Sequence, residues 1–450
     1  MPVDEEELKV FLGLTILTGI VSKRCKIATY WSRDERLATP YFNDCMARDR
    51  FQLISKYLHF NDNSRLPENT DDKLYKIRPV MDTLISRWQA LYDPGEHVSI
   101  EEGILKWRGR LNFRVSCKNK PAKHGVRSYI LADSISKYCW NLDVHCRVSR
   151  SLKETATGLL TSKCFGVWHS LHMSSYCNGV ALSEYLLANQ VHTVGALNAD
   201  RGEPPVVRNP VRMNTGDVVS RDNGKVLVLA WKNKRIVKAI TTKHDASVTF
   251  VSRRKRKGGG QLEWVSKPVC IVDYNRYVSG VNLMDQMIAY YPFTRKSTKW
   301  TKKVFFYLLE ISIHNAYVLY TTKCNMLKHD TLLSFTLEIV GDLCRSRRKS
   351  QRQSADDDGE AFGTSRPRGT DPPERLRGGF LRHELTAIPP TAKKTNPQKR
   401  CRACWRSGVR KGTRYYCIAC DVPLCCVPCY RNYHCQESQE DFLRSALGCT

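Results

Sequence analysis

The sequence predicts an α/β chain with a helical first part, a β-rich middle and a cysteine-rich metal module near its end. Three observations carry this. Through residue 95, apolar residues recur at helical spacing. From about residue 97 they give way to β-branched and aromatic runs separated by polar breaks. Nine of the 19 cysteines crowd between Cys401 and Cys449.

In chain order, a first helix is expected over 4–22, where Leu8, Phe11, Leu12 and Ile16 share a side. "RDRFQLISKYLHF" (48–60) and "IRPVMDTLISRWQALY" (77–92) continue the pattern, and Pro79 suits a first turn. "HVSIEEGILKWRG" and "VRSYILADSISKYCWNLDVHC" read as strands. A helix follows at "VALSEYLLANQ" (180–190), then a strand at "VHTVGAL". Residues 215–252 read as a β-meander, with "DNG" (222–224) as a hairpin turn. "RRKRKGGG" (253–260) is a basic loop, and "PVCIVDYNRYVSG" leads from a strand into a helix that opens within "SGVNLMDQM" (279–287). A long helix spans Trp300 to Tyr320, where Val304, Leu308, Ile311 and Val318 form a stripe. Beyond Cys344 the chain is polar, charged and rich in Gly, Ser and Pro, the composition of a disordered linker.

The charge balance narrows the function classes. Against 44 Asp+Glu stand 72 Lys+Arg, a net +28, which calls for a polyanion partner, foremost nucleic acid. The best apolar run, "VFLGLTILTGIV" (10–21), is too short for a bilayer and follows the acidic "MPVDEEE", so no membrane partner is expected. An intracellular setting, with reduced cysteines, is the expectation.

The tail pairs Cys401 with Cys404, Cys417 with Cys420, and Cys425 with Cys429, followed by His434. Short Cys-x2-Cys loops place two thiolates on one tetrahedral zinc. Cys426 and Cys435 stand in reserve, so there are donors for two structural zinc ions. Cross-braced binding would join the first pair to the third and the second to His434 plus another donor such as Cys435. Consecutive binding is the alternative, and a disulfide framework is disfavoured inside a cell.

Metal-assisted phosphodiester chemistry needs carboxylates from two strands and a later helix. Candidates are Glu101 and Glu102 in "VSIEEGILKWRGR" and Asp285 in "VNLMDQ", where Asn282 shares the helix face. These stretches resemble the piggyBac transposase family. "YWSRDERLATPYFNDCMARDRFQLISKYLHFNDN" (30–63) is similar to its N-terminal helical region and "SIEEGILKWRGRLNFRVSCKNKPAKHGVRSYILADSISKY" (99–138) to its first catalytic strand and basic segment. "TGDVVSRDNGKVLVLAWKNKRIVKAITTKHD" (215–245) resembles its β-rich insertion, and "VDYNRYVSGVNLMDQMIAYYPFTRKSTKW" (272–300) its last catalytic helix.

The resemblance implies an RNase H-like core with three catalytic aspartates that cuts and joins DNA at TTAA sites with divalent metal. It implies helical dimerisation and DNA-binding parts at 1–95 and 293–344, the core at 96–195 and 263–292, and a β-rich insertion at 196–262. A disordered basic linker is expected at 345–400 and the zinc module at 401–435. The three aspartates fall on Glu101, Ser174 and Asn282, with Asp285 a retained neighbour. Two of those three side chains are neutral, so the ancestral Mg²⁺ site is expected to be lost. What remains is binding of DNA, end-like or non-specific, by basic stretches carrying Arg108, Arg110, Lys120, Lys123, Lys299, Lys302 and Lys303, with Trp107 and Trp300 interleaved. Alternatives are an active transposase, or a chromatin or protein-interaction factor working through the zinc module. A homodimer and a nuclear location are implied.

Overall fold

The structure is a computed structural model. It describes residues 2–23, 25–65, 72–116, 124–146, 164–254, 262–295, 297–323, 331–345, 383–389 and 396–435. The chain forms two compact units, Met1–Asp357 and Asp358–Thr450.

In the first unit, helix α1 (Glu5–Ile20) starts at Asp4, whose side chain accepts from the Glu7 amide at 2.7 Å. Helices α2 (Pro40–Cys45) and α3 (Arg48–Tyr57) gather Phe42, Phe51 and Ile54 around Phe11, Tyr30 and Trp31. The buried Glu7 carboxylate grips Arg50 at 2.6 Å and so ties α1 to α3. Helix α4 (Arg78–Leu91) carries Pro79 in its first turn, as expected. It lies on the sheet through Trp88, whose carbonyl accepts from the Tyr138 hydroxyl at 3.0 Å.

Among the described residues nine strands form one sheet in the order β2-β3-β1-β5-β6-β9-β8-β7, with β4 also paired to β3. They are β1 (His97–Lys106), β2 (Val115–Ser116), β3 (His124–Asp133), β4 (Cys139–Val144), β5 (Ser170–Met173), β6 (His192–Ala196), β7 (Val218–Asp222), β8 (Leu227–Lys232) and β9 (Ile236–Thr241). Strands β1, β3 and β4 run antiparallel, while β1, β5 and β6 run parallel. Helix α5 (Val180–Ala188) makes the crossover between β5 and β6. A four-residue helix, α6 (Pro205–Arg208), precedes the meander.

The segment expected as an insertion is β-rich, and its strand β9 joins the main sheet, where Val194, Gly195 and Ala196 of β6 pair with Thr241, Ile240 and Ala239. The segment expected as the last core strand, β11 (Leu262–Pro268), pairs instead with β10 (Val248–Arg254) in a separate two-stranded ribbon. "VCIVDYNRY" is not extended either. Pro268 closes β11 and the chain turns at once into helix α7 (Val269–Tyr277), then α8 (Gly280–Ile288).

Helix α9 (Trp300–Lys323) faces two cores at once. Val304, Leu308, Ile311 and Val318 pack with Ile100, Ile130 and Trp140 of the sheet. Phe306, Leu309 and Ile313 pack with Phe11 and Phe293 of the helical group. Helix α10 (Leu332–Leu343) then lies along α1, where Gly13 leaves room for Cys344. Among the described residues no helix is long and apolar enough to cross a membrane.

The second unit is small. It holds strands β12 (Leu385–Ala387), β13 (Lys399–Arg400), β14 (Gly412–Thr413), β15 (Tyr415–Cys417) and β16 (Val422–Pro423), with helices α11 (Arg402–Arg406) and α12 (Cys429–Cys435). Half of its buried core is cysteine, and Ala403, Val422, Leu424, Tyr430 and Tyr433 supply the rest.

Candidate nucleic-acid interface and metal centres

His97, Ser99, Glu101 and Gly103 alternate onto one face of β1. Helices α8 and α9 cover that face. A Cβ on Gly280 would meet Ser99 Oγ at 2.6 Å, and one on Gly103 would sit 3.6 Å from the Tyr307 hydroxyl. Ile100 is in register with Met173, the last residue of β5, so Ser174 follows directly where that strand ends next to Glu101. Glu101 is buried, Ser174 half-buried and Asn282 exposed. Asp285 turns inward, 3.5 Å from the Tyr307 hydroxyl. Among the described residues, no three carboxylate, His or Cys donors converge here within reach of one cation. This donor set does not fit a two-metal clamp.

The neighbouring carboxylates are otherwise engaged. Asp133 accepts from the amides of Gly95, Ile135 and Ser136 at 2.7–2.8 Å and closes the β3–β4 turn. Asp273 pairs with His244 Nε2 at 2.9 Å. Next to that pair lies a group that spacing gave no reason to expect. His97 Nδ1 is 3.3 Å from His172 Nε2, and Tyr277 stacks on His97 at 3.6 Å. Burial holds the His172 imidazole down at about 4, so the pair is neutral near pH 7. These histidines come from two strands and have no common motif; only the fold assembles them.

Two of the expected basic stretches do converge. Lys106, Trp107, Arg108 and Gly109, leaving β1, line a cavity of about 690 Å³ with Ser297, Thr298 and Lys303. Burial, then the nearby Lys106 charge, lower the Lys303 pKa. Arg108 and Arg110 are exposed at this edge, and Lys299 is exposed with its ammonium 3.2 Å from the Lys56 carbonyl.

Lys302 departs from its expected role. It is buried, and its ammonium caps the carbonyls of Ser55 and Lys56 at the end of α3. Trp107 and Trp300 depart too: Trp107 is buried in the sheet core, and Trp300 packs edge-on to Phe113. Both belong to the protein interior rather than to a base-stacking surface. Lys120 and Lys123 lie outside the described residues.

Among its described residues the cysteine-rich unit contains two tetrads. Cys401, Cys404, Cys425 and Cys429 form one, and His383, Cys417, Cys420 and His434 the other. This is the cross-braced order. In the second tetrad, His383 Nδ1 lies 3.5 and 3.4 Å from Cys417 and Cys420, and Cys420 lies 3.4 Å from His434 Nε2. Zn–S and Zn–N bonds of about 2.3 and 2.05 Å give a tetrahedral S···N edge of about 3.6 Å. In the first tetrad, Cys404 lies 3.4 and 4.0 Å from Cys429 and Cys425, which bracket an S···S edge of about 3.8 Å. His434 Nδ1 pairs with the Tyr430 carbonyl at 2.8 Å, which leaves Nε2 to face the ion. Both donor sets fit zinc. Without the cation, burial and then the Cys401 sulfur push Cys425 up to about 12, so zinc must displace protons.

His383 is the donor missed in the sequence. It sits inside the segment expected as a disordered linker, 345–400, where β12 pairs with β15 and brings the chain back to the module. The tetrads are complete without Cys435, whose side chain lies outside the described residues. Cys426 is exposed.

Comparison with known proteins agrees with this architecture. The family described as "Transposase IS4" matches residues 1–317, and a "DDE_Tnp_1-like zinc finger" matches residues 381–435. PiggyBac transposable element-derived protein 3 of Homo sapiens is 24% identical over 443 residues, 95% of this chain and 70% of that protein. PiggyBac transposable element-derived protein 2 of Homo sapiens is 23% identical over 369 residues, 77% of this chain. The aligned part spans only 62% of that relative's length. The cryo-EM structure of the piggyBac transposase synaptic complex with hairpin DNA superimposes with a TM-score of 0.69, at 22% identity, over 95% of this chain and 88% of that one. With the family match covering most of the sheet and helices, the chain belongs to the piggyBac transposase family.

Proposed function

We propose that this chain is a transposase-derived DNA-binding protein that neither cuts nor joins DNA. The cleft at the end of β1 carries the reading. It brings the exposed Lys106 and Arg108 next to the half-buried Lys303, residues far apart in sequence, and the Lys106 charge opposes that of Lys303. A phosphate group placed between them relieves that repulsion and is recognised by charge, without base readout. The order β4-β3-β1-β5-β6, with Glu101 on the central strand, supports an RNase H-like core. Ser174 and Asn282 at the other two positions leave that core without the counter-charge two divalent ions need.

Two measurements test this. Binding of a TTAA-containing duplex by the full chain should weaken in K106A/R108A/K303A, with the salt slope falling by about 0.9 per lost phosphate contact. Incubation of the duplex with Mn²⁺ should give no cleavage above background. Strand cleavage that disappears in E101Q would overturn the second half of the proposal. The zinc module supports a further contact: Lys399, Arg400, Arg410 and Lys411 surround a hollow of about 420 Å³. If C401S/C404S abolishes binding while the cleft variant does not, the main contact belongs to the module. A dimer, a chromatin partner and a nuclear setting accord with this reading and are part of the proposal.

A further inference from the structure

Between α1, α3 and the start of α9 lies a second hollow, of about 630 Å³, within the range of about 300–1,000 Å³ that small-ligand sites occupy. Phe11 of α1, Phe51 of α3, Phe306 of α9 and Phe293 give it an aromatic wall. Lys26, Lys56, Arg295 and Lys302 also line it, and none of its lining residues among those described is acidic. Lys26 and Lys56 are exposed, Arg295 is half-buried and Lys302 is buried. The inner two cations are held by neutral groups. Lys302 meets the Ser55 and Lys56 carbonyls, and Arg295 the Cys25 carbonyl and the Tyr30 hydroxyl. These contacts aim the charges without cancelling them. Burial, then the nearby Lys299 charge, lower the Lys302 pKa. The half-buried Gln52 carboxamide has no hydrogen-bond partner among the described residues, so a donor and an acceptor stand unused at this wall.

Each part selects. Uncancelled cations call for an anion. Phenylalanine walls call for an apolar, preferably aromatic, body. The open amide calls for a polar edge that presents a donor beside an acceptor. Inorganic phosphate lacks the body, and a fatty acid lacks the edge. We propose that this hollow binds a single nucleotide, its base edge on Gln52 among the phenylalanines and its phosphate toward Lys26 and Lys56. A base stacked and paired in a duplex cannot enter such a hollow. The ligand is therefore a free mononucleotide or one displaced from DNA. Ser297 and Thr298 line both this hollow and the cleft at Lys106, so a displaced nucleotide would have a short way to travel. The recognition chemistry is separate from that cleft, and its failure would leave the duplex reading untouched.

The test uses the full zinc-loaded chain and titration calorimetry. Deoxyadenosine monophosphate should bind, and inorganic phosphate and deoxyadenosine should each bind about tenfold more weakly or worse, since each offers only part of the ligand. Q52L should weaken the nucleotide about fivefold or more, and K26E/K56E, at two exposed positions, about tenfold. Unchanged melting would show that the variants fold, and binding of a paired duplex should stay within twofold in Q52L. Tighter binding of a duplex with one bulged adenine than of its paired counterpart, lost in Q52L, would name DNA as the source of the nucleotide. Equal affinity for the two duplexes, with the mononucleotide bound, would name the free ligand. No binding of the mononucleotide overturns the proposal. So does a nucleotide affinity unchanged in both folded variants. Phosphate bound as tightly as the nucleotide would mark a bare anion site and also overturns it.

Discussion

His383→Ala removes one of the four donors from the second tetrad. The imidazole nitrogen stands 3.4–3.5 Å from both cysteine sulfurs, and among the described residues no fifth donor shares that group. Structural zinc contributes about 10–16 kcal/mol in small modules. Divided evenly over four donors, one loss costs about 2.5–4 kcal/mol, a site weaker by about two to three decades. The first tetrad keeps its four thiolates. Zinc content after dialysis against a chelator should therefore fall from about two ions per chain to about one. His383→Cys should restore the second ion, because a thiolate also completes a tetrahedral site. Retention of both ions at unchanged affinity in H383A would refute the assignment. So would an equal loss in C435A, which would place the eighth donor at Cys435.

Glu310 gives a pH dependence. Its carboxylate is buried and accepts from the amides of Phe293 and Thr294 at 2.9 and 2.8 Å; burial raises it from 4.5 to about 7. The stability it contributes is full below its unfolded value and is lost as pH rises through about 7, a change of up to about 3 kcal/mol that E310Q should flatten in denaturant titrations. Gly19 is the second case: a Cβ there would stand 2.4 Å from the Tyr291 carbonyl, so G19A should lower stability by about 1–3 kcal/mol, measured by calorimetry. Lys302→Met should lower the melting temperature by uncapping α3, yet leave duplex affinity within twofold.

Much of the fold was legible because its signals are local. Pro79 in the first turn of α4, the Asp222–Gly224 hairpin and the apolar stripe of α9 each follow from residues a few positions apart. What was not legible depends on pairing across the chain. Nothing near Val194 says that it will meet Thr241, so the join between the meander and the main sheet could not be read from the sequence. The same holds for function. Cys-x2-Cys pairs announce themselves, whereas His383 is one histidine ahead of a short strand and becomes a donor only when β12 folds onto β15. Lys299, Lys302 and Lys303 look equivalent in sequence, but Lys302 caps a helix, Lys303 lines the cleft and Lys299 sits at the surface.

The second tetrad also fixes the module's mechanics. His383 and His434 are its first and last donors, and both sit on one ion's worth of space beside Cys420. The entrance and exit of the module are therefore clasped together. A pull applied to the flanking chain loads metal–ligand bonds directly, before it reaches the β strands or the thiolate tetrad. While the clasp holds, the module adds almost no length between its neighbours. Once it opens while the thiolate tetrad stays closed, the stretches 383–401 and 429–434 are freed, roughly 75–85 Å of chain at about 3.3–3.6 Å per residue. Zinc bound at this one site would thus set how far apart residues 383 and 434 can be drawn.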